Sequence, residues 1–157
     1  MKKTLFLLPF AATVSYAHQQ KPNVIVILVD DMGIGDNGTY GFTIIPTPNI
    51  DRLAHEGLQL GSFYSAAPVS SPARTGLLTG RCPIKYRINT YLDNKAANAR
   101  VENANYLDPN APTMAHAFRN AGYATGHFGK WDMGGGRDVT DAPGFEQYGF
   151  TSHVSTY

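Results

Sequence analysis

A chain of 157 residues, 43% hydrophobic and 16% charged, suffices for one ordinary globular core and excludes the disordered and collagen-like classes. The formal net charge is +1; discounting Lys2 and Lys3 leaves 11 Lys and Arg (13 less 2) against 12 Asp and Glu, so no nucleic-acid footprint is expected. Cys82 is the single cysteine, so no disulfide forms within the chain, and a buried small hydrophobe is expected there rather than a reactive thiol.

Residues 1–17 read as a signal peptide: Lys2 and Lys3 precede an apolar run from Leu5 to Val14, then Ser15 and Ala17 at cleavage-like spacing. The run is too short to span a bilayer and no second one follows, so residues 18–157 are expected to be exported, periplasmic or extracellular, without a membrane span. "NVIVILV", Asn23 to Val29, is a continuous β-branched run, the pattern of a strand buried on both faces of a parallel sheet. "GIGDNG", Gly33 to Gly38, matches the dinucleotide fingerprint G-x-G-x-x-G literally, which makes a dinucleotide-binding oxidoreductase an alternative reading. However, "TYGFTIIPTP" follows with no helical period, and two carboxylates in front would repel a pyrophosphate. A glycine-rich turn is expected instead.

Thr47 as cap, Pro48 in the first turn, Ile50, Leu53 and Ala54 at helical spacing and Gly57 as stop predict a short amphipathic helix. Leu58 to Ala66 reads as a second strand. Ser71 as N-cap, Pro72 in the first turn and Gly80 as terminator predict a second helix. Arg87 to Asn110 is polar, Asn-rich and aperiodic, and reads as a long loop or insertion. A helix is expected over Thr113 to Ala121 with a stop at Gly122, then a strand from Tyr123 to Phe128 leading into Gly129 and Lys130. Strands and helices in this order predict an α/β fold with a mostly parallel sheet flanked by helices.

In open α/β sheets ligands collect beyond the carboxyl ends of the strands. Three groups fall there: Asp30 and Asp31, Ser70 with Arg74, and Lys130. Adjacent carboxylates repel unless a cation or basic group neutralises them, and their oxygens suit a hard divalent ion such as calcium or magnesium; a solvated turn is the bland alternative. Ser70 lies near the positive end of the second helix, and Arg74, one turn on, offers a planar fork of donors to an oxyanion; an ordinary helix with a surface arginine is the alternative. A serine hydroxyl is a weak nucleophile unless activated, and no histidine or lysine neighbours this pair in sequence.

These stretches resemble a known family. "SSPARTGLLTG", Ser70 to Gly80, is similar to the signature of the type I, formylglycine-dependent sulfatases in its serine-initiated variant. "GYATGHFGKW" resembles their second signature, and "NVIVILVDDMG" with "TPNIDRLAHEG" the start of their catalytic domain. The resemblance implies an alkaline-phosphatase-like α/β fold and the hydrolysis of sulfate esters, with a sulfated carbohydrate as the expected substrate. It implies that Ser70 is oxidised to formylglycine by a serine-type maturation enzyme before export. The hydrated aldehyde then offers one oxygen to attack sulfur, and its second hydroxyl expels sulfate. It further implies that Asp30 and Asp31 hold a calcium ion together with the modified Ser70, that Arg74 stabilises the hydrate, and that Lys130 pairs with a sulfate oxygen.

Two departures accompany the resemblance. Asp132 stands where the family usually has a histidine after Gly-Lys-Trp, and nearby His127 is expected to be a core or surface residue rather than its replacement. Residues 18–157 also correspond only to an N-terminal portion of such a catalytic domain, so the chain reads as truncated, with a non-catalytic sulfatase remnant as the alternative to a hydrolase.

Overall fold

The computed structural model describes residues 21–41 and 44–157; the signal peptide assigned to residues 1–17 lies outside them. The chain divides into a unit ending at Met32 and a unit from Gly33 to Tyr157. In the first, no strand is assigned over residues 21–29, and Val24 to Val29 are all exposed. The strand expected at Asn23–Val29 is therefore not formed. A β-branched run has strand-like backbone preferences, but a strand exists only where a neighbour takes its N–H and C=O groups.

Within the second unit the glycine-rich segment turns, with Asp36 N donating to Gly33 O, and then forms a 3-10 turn over Gly38–Tyr40. No α-helix opens there, so nothing receives a pyrophosphate in the manner of a dinucleotide fold. Helix α1 spans Pro48–Glu56 as expected, stopped at Gly57. Thr47 does not cap it with its side chain; the hydroxyl accepts from Gly38 N at 2.9 Å and donates to Asp51 Oδ1 at 3.1 Å. Hydrogen bonds from Thr39 and Thr47 hold the Asp51 carboxyl below its ordinary pKa, the Thr39 hydroxyl contributing most. The second expected strand, Leu58–Ala66, is a turn-containing extended segment with Leu58, Leu60, Phe63 and Tyr64 exposed, again without a ladder partner among the described residues.

Helix α2 runs Ser70–Thr79 and ends at Gly80, whose φ of 64° lets its N–H return to Gly76 O. Its N-cap is Val69, two residues earlier than the Ser71 cap that the sequence suggests. Ser71 is fully buried inside the first turn, where its Oγ accepts from Leu92 N at 2.9 Å. Pro72, the third residue of the helix, is tolerated there because the first-turn N–H groups have no intrahelical acceptor.

The Asn-rich region is largely a loop, as expected, but it carries one short helix and is held by side-chain amides. Asn94 caps the short helix α3, Lys95–Arg100, by accepting from Ala97 N at 2.9 Å. Buried Asn98 both accepts from Asp93 N at 2.8 Å and donates to Asp93 O at 2.9 Å, while buried Asn103 accepts from Asn89 N at 2.8 Å. The amides replace backbone ladders, which frees Ile88, Leu92 and Leu107 to enter the core. Cys82 is exposed, correcting the expected burial: it precedes the 3-10 turn Pro83–Tyr86, and Pro83 takes the inward position.

Helix α4, Met114–Asn120, is capped by Thr113, which accepts from His116 N at 3.0 Å and donates to Tyr148 O at 2.7 Å. Strand β1 covers Gly126–Lys130, later than the expected Tyr123–Phe128, because it pairs in parallel with β2, Ser152–Thr156, from Gly126↔Ser152 to Lys130↔Thr156. Trp131 N extends the ladder to Thr156 O at 2.8 Å. The Trp131 ring, 2% exposed, packs against Phe145 and Tyr148 with centroids 4.7 and 5.0 Å apart. The Tyr148 hydroxyl donates to Leu107 O at 2.7 Å, and burial pushes that phenol above its ordinary pKa. The result is an α/β arrangement with a parallel sheet, and its core lies directly behind the end of β1.

Candidate active site

Helix α2 and strand β1 bring their polar ends together. Lys130, the last residue of β1, donates from Nζ to Ser70 Oγ at 2.9 Å, although 60 residues separate them in sequence. Arg74, one turn along α2, donates from Nη1 to the Lys130 carbonyl at 2.7 Å, so the same guanidinium that reaches toward the site also fixes the strand end. The helix N-terminus adds a positive dipole at Ser70. A hydroxyl that meets an ammonium at a helix N-terminus is an anion-accepting position. Ser70 is only partly buried, whereas Ser71 is sealed beneath it, so the two adjacent serines have divided roles.

Asp132 joins this cluster. Its Oδ2 lies 3.8 Å from Lys130 Nζ, and its backbone has φ of 52°, a left-handed position that aspartate tolerates better than most residues. Its carboxylate therefore competes with an incoming anion for Lys130.

His127 is not in the cluster. It is half-buried among aromatic rings, 5.2 Å from Trp131 and 5.5 Å from Phe150, with Nδ1 2.7 Å from Ser155 Oγ. Burial first, then the charges of Arg74 and His153, lower its pKa and favour the neutral ring. Its contacts are those of a packing histidine.

Asp30 and Asp31 belong to the unit that ends at Met32, and both are exposed, Asp31 with φ of 56°. Their all-oxygen donor chemistry fits a hard cation such as calcium. Two carboxylates fill only part of the six to eight positions that calcium takes, and no group of three or more acidic, His or Cys side chains gathers for a metal among the described residues.

Residues 22–157 match the family model described as Sulfatase. The chain belongs to the sulfatase family. It is 41% identical over 139 residues to an N-acetylgalactosamine-6-O-sulfatase of Bacteroides thetaiotaomicron, covering 85% of this chain and 26% of that one. It is 42% identical over 118 residues to human N-acetylgalactosamine-6-sulfatase (73% and 22%), and 37% identical over 145 residues to steryl-sulfatase of Rattus norvegicus (86% and 24%). Among solved structures it resembles Ps i-CgsB in complex with k-i-k-neocarrahexaose, with a TM-score of 0.71 and 34% identity over 87% of this chain and 28% of that one. It is similar to the same degree, at 38% identity, to a sulfatase described in the metabolism of multiple glycosaminoglycans by Bacteroides thetaiotaomicron. The chain thus spans about a quarter of the length of these sulfatases, and its fold is the alkaline-phosphatase-like one they share.

Of the residues that the sequence suggests for a site, the structure brings Lys130 Nζ to Ser70 Oγ and Arg74 Nη1 to the Lys130 carbonyl. Sequence reasoning missed Asp93, Arg137 and Tyr157, which line a pocket next to Asp132. The signal available was the run "GGGR" at Gly134–Arg137, an unusual concentration of backbone freedom immediately after the second signature.

Proposed function

We propose that residues 18–157 are the N-terminal portion of an exported sulfatase catalytic domain that cleaves sulfate esters of a carbohydrate, with Ser70 as the reactive position after conversion to formylglycine. The observation that carries this reading is the 2.9 Å contact from Lys130 Nζ to Ser70 Oγ, with Arg74 holding the Lys130 carbonyl. Formylglycine at position 70 would supply a hydrated aldehyde as the oxygen nucleophile, and calcium, for which Asp30 and Asp31 carry oxygen donors, would supply Lewis acidity. This chain's residues do the rest. Lys130 and the N-terminus of α2 concentrate positive charge where the sulfuryl oxygens gather negative charge, and Arg74 keeps the ammonium aimed at position 70. Ser71 holds the first turn of α2 to Leu92 and so fixes the direction in which position 70 faces.

Sulfated carbohydrate as substrate is supported by the relatives named for N-acetylgalactosamine 6-sulfate and by the neighbour that holds a neocarrahexaose. The protein, expressed from its complete reading frame with a serine-type maturation enzyme, is expected to lose about two mass units on the peptide bearing Ser70 and to hydrolyse 4-nitrophenyl sulfate. Ser70→Ala removes both. Modification at Ser71, or conversion of Ser70 without any turnover, overturns the proposal.

Asp132 gives a second, smaller test. Its carboxylate cannot donate a cationic proton, and it draws on Lys130 at 3.8 Å. Asp132→His is expected to raise turnover of 4-nitrophenyl sulfate by about 10-fold or more. An unchanged or lower rate means that the site has adapted to the aspartate.

A further inference from the structure

His127 packs directly behind the strand end that carries Lys130. Its ring meets Trp131 edge to face at 5.2 Å and lies 5.6 Å from Phe145 and 5.5 Å from Phe150, so three aromatic side chains enclose it. The parallel register sets it opposite His153, whose own ring stacks on Phe145 at 4.2 Å. His127 Nδ1 lies 2.7 Å from Ser155 Oγ, a hydroxyl that can donate to a neutral ring or accept from a protonated one. That bond survives protonation, so the cost of a proton lies in the surrounding charges. Arg74 acts on the ring from α2 and His153 from β2, and both oppose a positive charge there. Glu146, in the 3-10 turn Phe145–Tyr148, is exposed and makes no bond to the imidazole. The Tyr148 hydroxyl is given to Leu107 O, Tyr157 meets Phe145, and Asp132 lies beside Lys130. No carboxylate among the described residues therefore pairs with His127.

We propose that neutral His127 is a positioning residue for Lys130, and that its protonation loosens the end of β1 and so weakens the site in acid. Arg74 is the link, because its Nη1 holds the Lys130 carbonyl at 2.7 Å. A proton on His127 sets a cation against that guanidinium and places charge in an aromatic cluster without a counter-ion. Burial, then Arg74 and His153, hold the packed imidazole below its ordinary value of 6.5, so a loosened strand end takes up the proton more readily than the packed one. The strand end is thus held fully above about pH 6.5 and is released as the pH falls through the lowered value. The effect on turnover rests on Ser70 being the reactive position, whereas the loosening does not.

The test compares the protein from its complete reading frame with two variants that take no proton at this position. His127→Phe keeps a ring among Trp131, Phe145 and Phe150, and His127→Asn keeps a polar partner for Ser155. On unconverted protein, hydrogen–deuterium exchange at the imidazole C2 position, measured by mass spectrometry on the peptide bearing His127, should show titration below the ordinary value. Backbone exchange over Gly126–Trp131, corrected for the intrinsic effect of pH, should be about 10-fold faster at about pH 5 than at about pH 7.5 in wild type, and should change by less than about twofold in either variant. On converted protein, kcat for 4-nitrophenyl sulfate should fall about 10-fold over the same range in wild type and about threefold or less in the variants, each measured against its own value at about pH 7.5. If one variant does not fold, the other decides. An imidazole that titrates at or above its ordinary value, backbone exchange without acid dependence, or an acid loss of kcat that the variants retain overturns the proposal. Turnover absent in every assay, with both exchange results as expected, removes the sulfatase reading and keeps the proton-linked strand end.

Discussion

Lys130→Met is expected to lower kcat/KM for 4-nitrophenyl sulfate by about 10²–10³-fold in the Ser70-converted protein, the range for losing one preorganised charged donor at a developing oxyanion. Methionine keeps the length and apolar stem of lysine and removes only the ammonium. The backbone carbonyl of residue 130 remains, so Arg74 keeps its 2.7 Å hydrogen bond and its position in α2. The loss should fall in kcat as well as in KM, because the charge on the sulfuryl oxygens rises between ground and transition state. Removing Lys130 also leaves Asp132 without the cation that now lies 3.8 Å from its carboxylate. The double variant Lys130→Met/Asp132→Asn should accordingly recover part of the activity. A kcat/KM within about threefold of wild type for Lys130→Met would place Lys130 outside the chemistry.

The helices around that cluster were legible in the sequence because helix signals are local. Gly80 ends α2 and Thr113 caps α4 through bonds within a few residues of each other, and each stands in the sequence where the structure uses it. Strands are not local in this sense. Asn23–Val29 has the composition of a buried strand and forms no ladder, whereas "SHVST", with little β-strand character on paper, pairs fully with Gly126–Lys130. A strand's existence depends on the partner that satisfies its backbone, and periodicity says nothing of the partner. In the Asn-rich segment, the buried amides were hidden for another reason. Polar composition reads as solvent-exposed, but Asn98 and Asn103 are buried because their amides bond the backbone around them, a role composition cannot separate from a loop. The same limit hid Ser71: its neighbour in space is Leu92, 21 residues on.

Trp131→Ala is expected to destabilise the protein by about 3–5 kcal/mol, the usual cost of removing a large aromatic side chain from a packed core. Trp131 is the residue on which the site is mounted. Its ring is 2% exposed and touches Phe145, Tyr148 and Phe150, while its backbone closes the parallel ladder at Thr156. Lys130 and Asp132 flank it, so the core fixes the end of β1 and the left-handed turn at Asp132 together. A cavity here lets the strand end shift, and Lys130 loses its 2.9 Å contact with Ser70 before the fold as a whole is lost. Denaturant titration should show the stability loss, and Trp131→Phe, which keeps an aromatic ring against Phe145 and Tyr148, should lose markedly less. Activity at a temperature where Trp131→Ala is still folded should fall as well, in kcat more than in KM, because a misplaced ammonium costs most where charge develops. A Trp131→Ala protein with a wild-type denaturation midpoint would mean that Phe145, Tyr148 and Phe150 close the space unaided, and that β1 is held by its ladder with β2 alone.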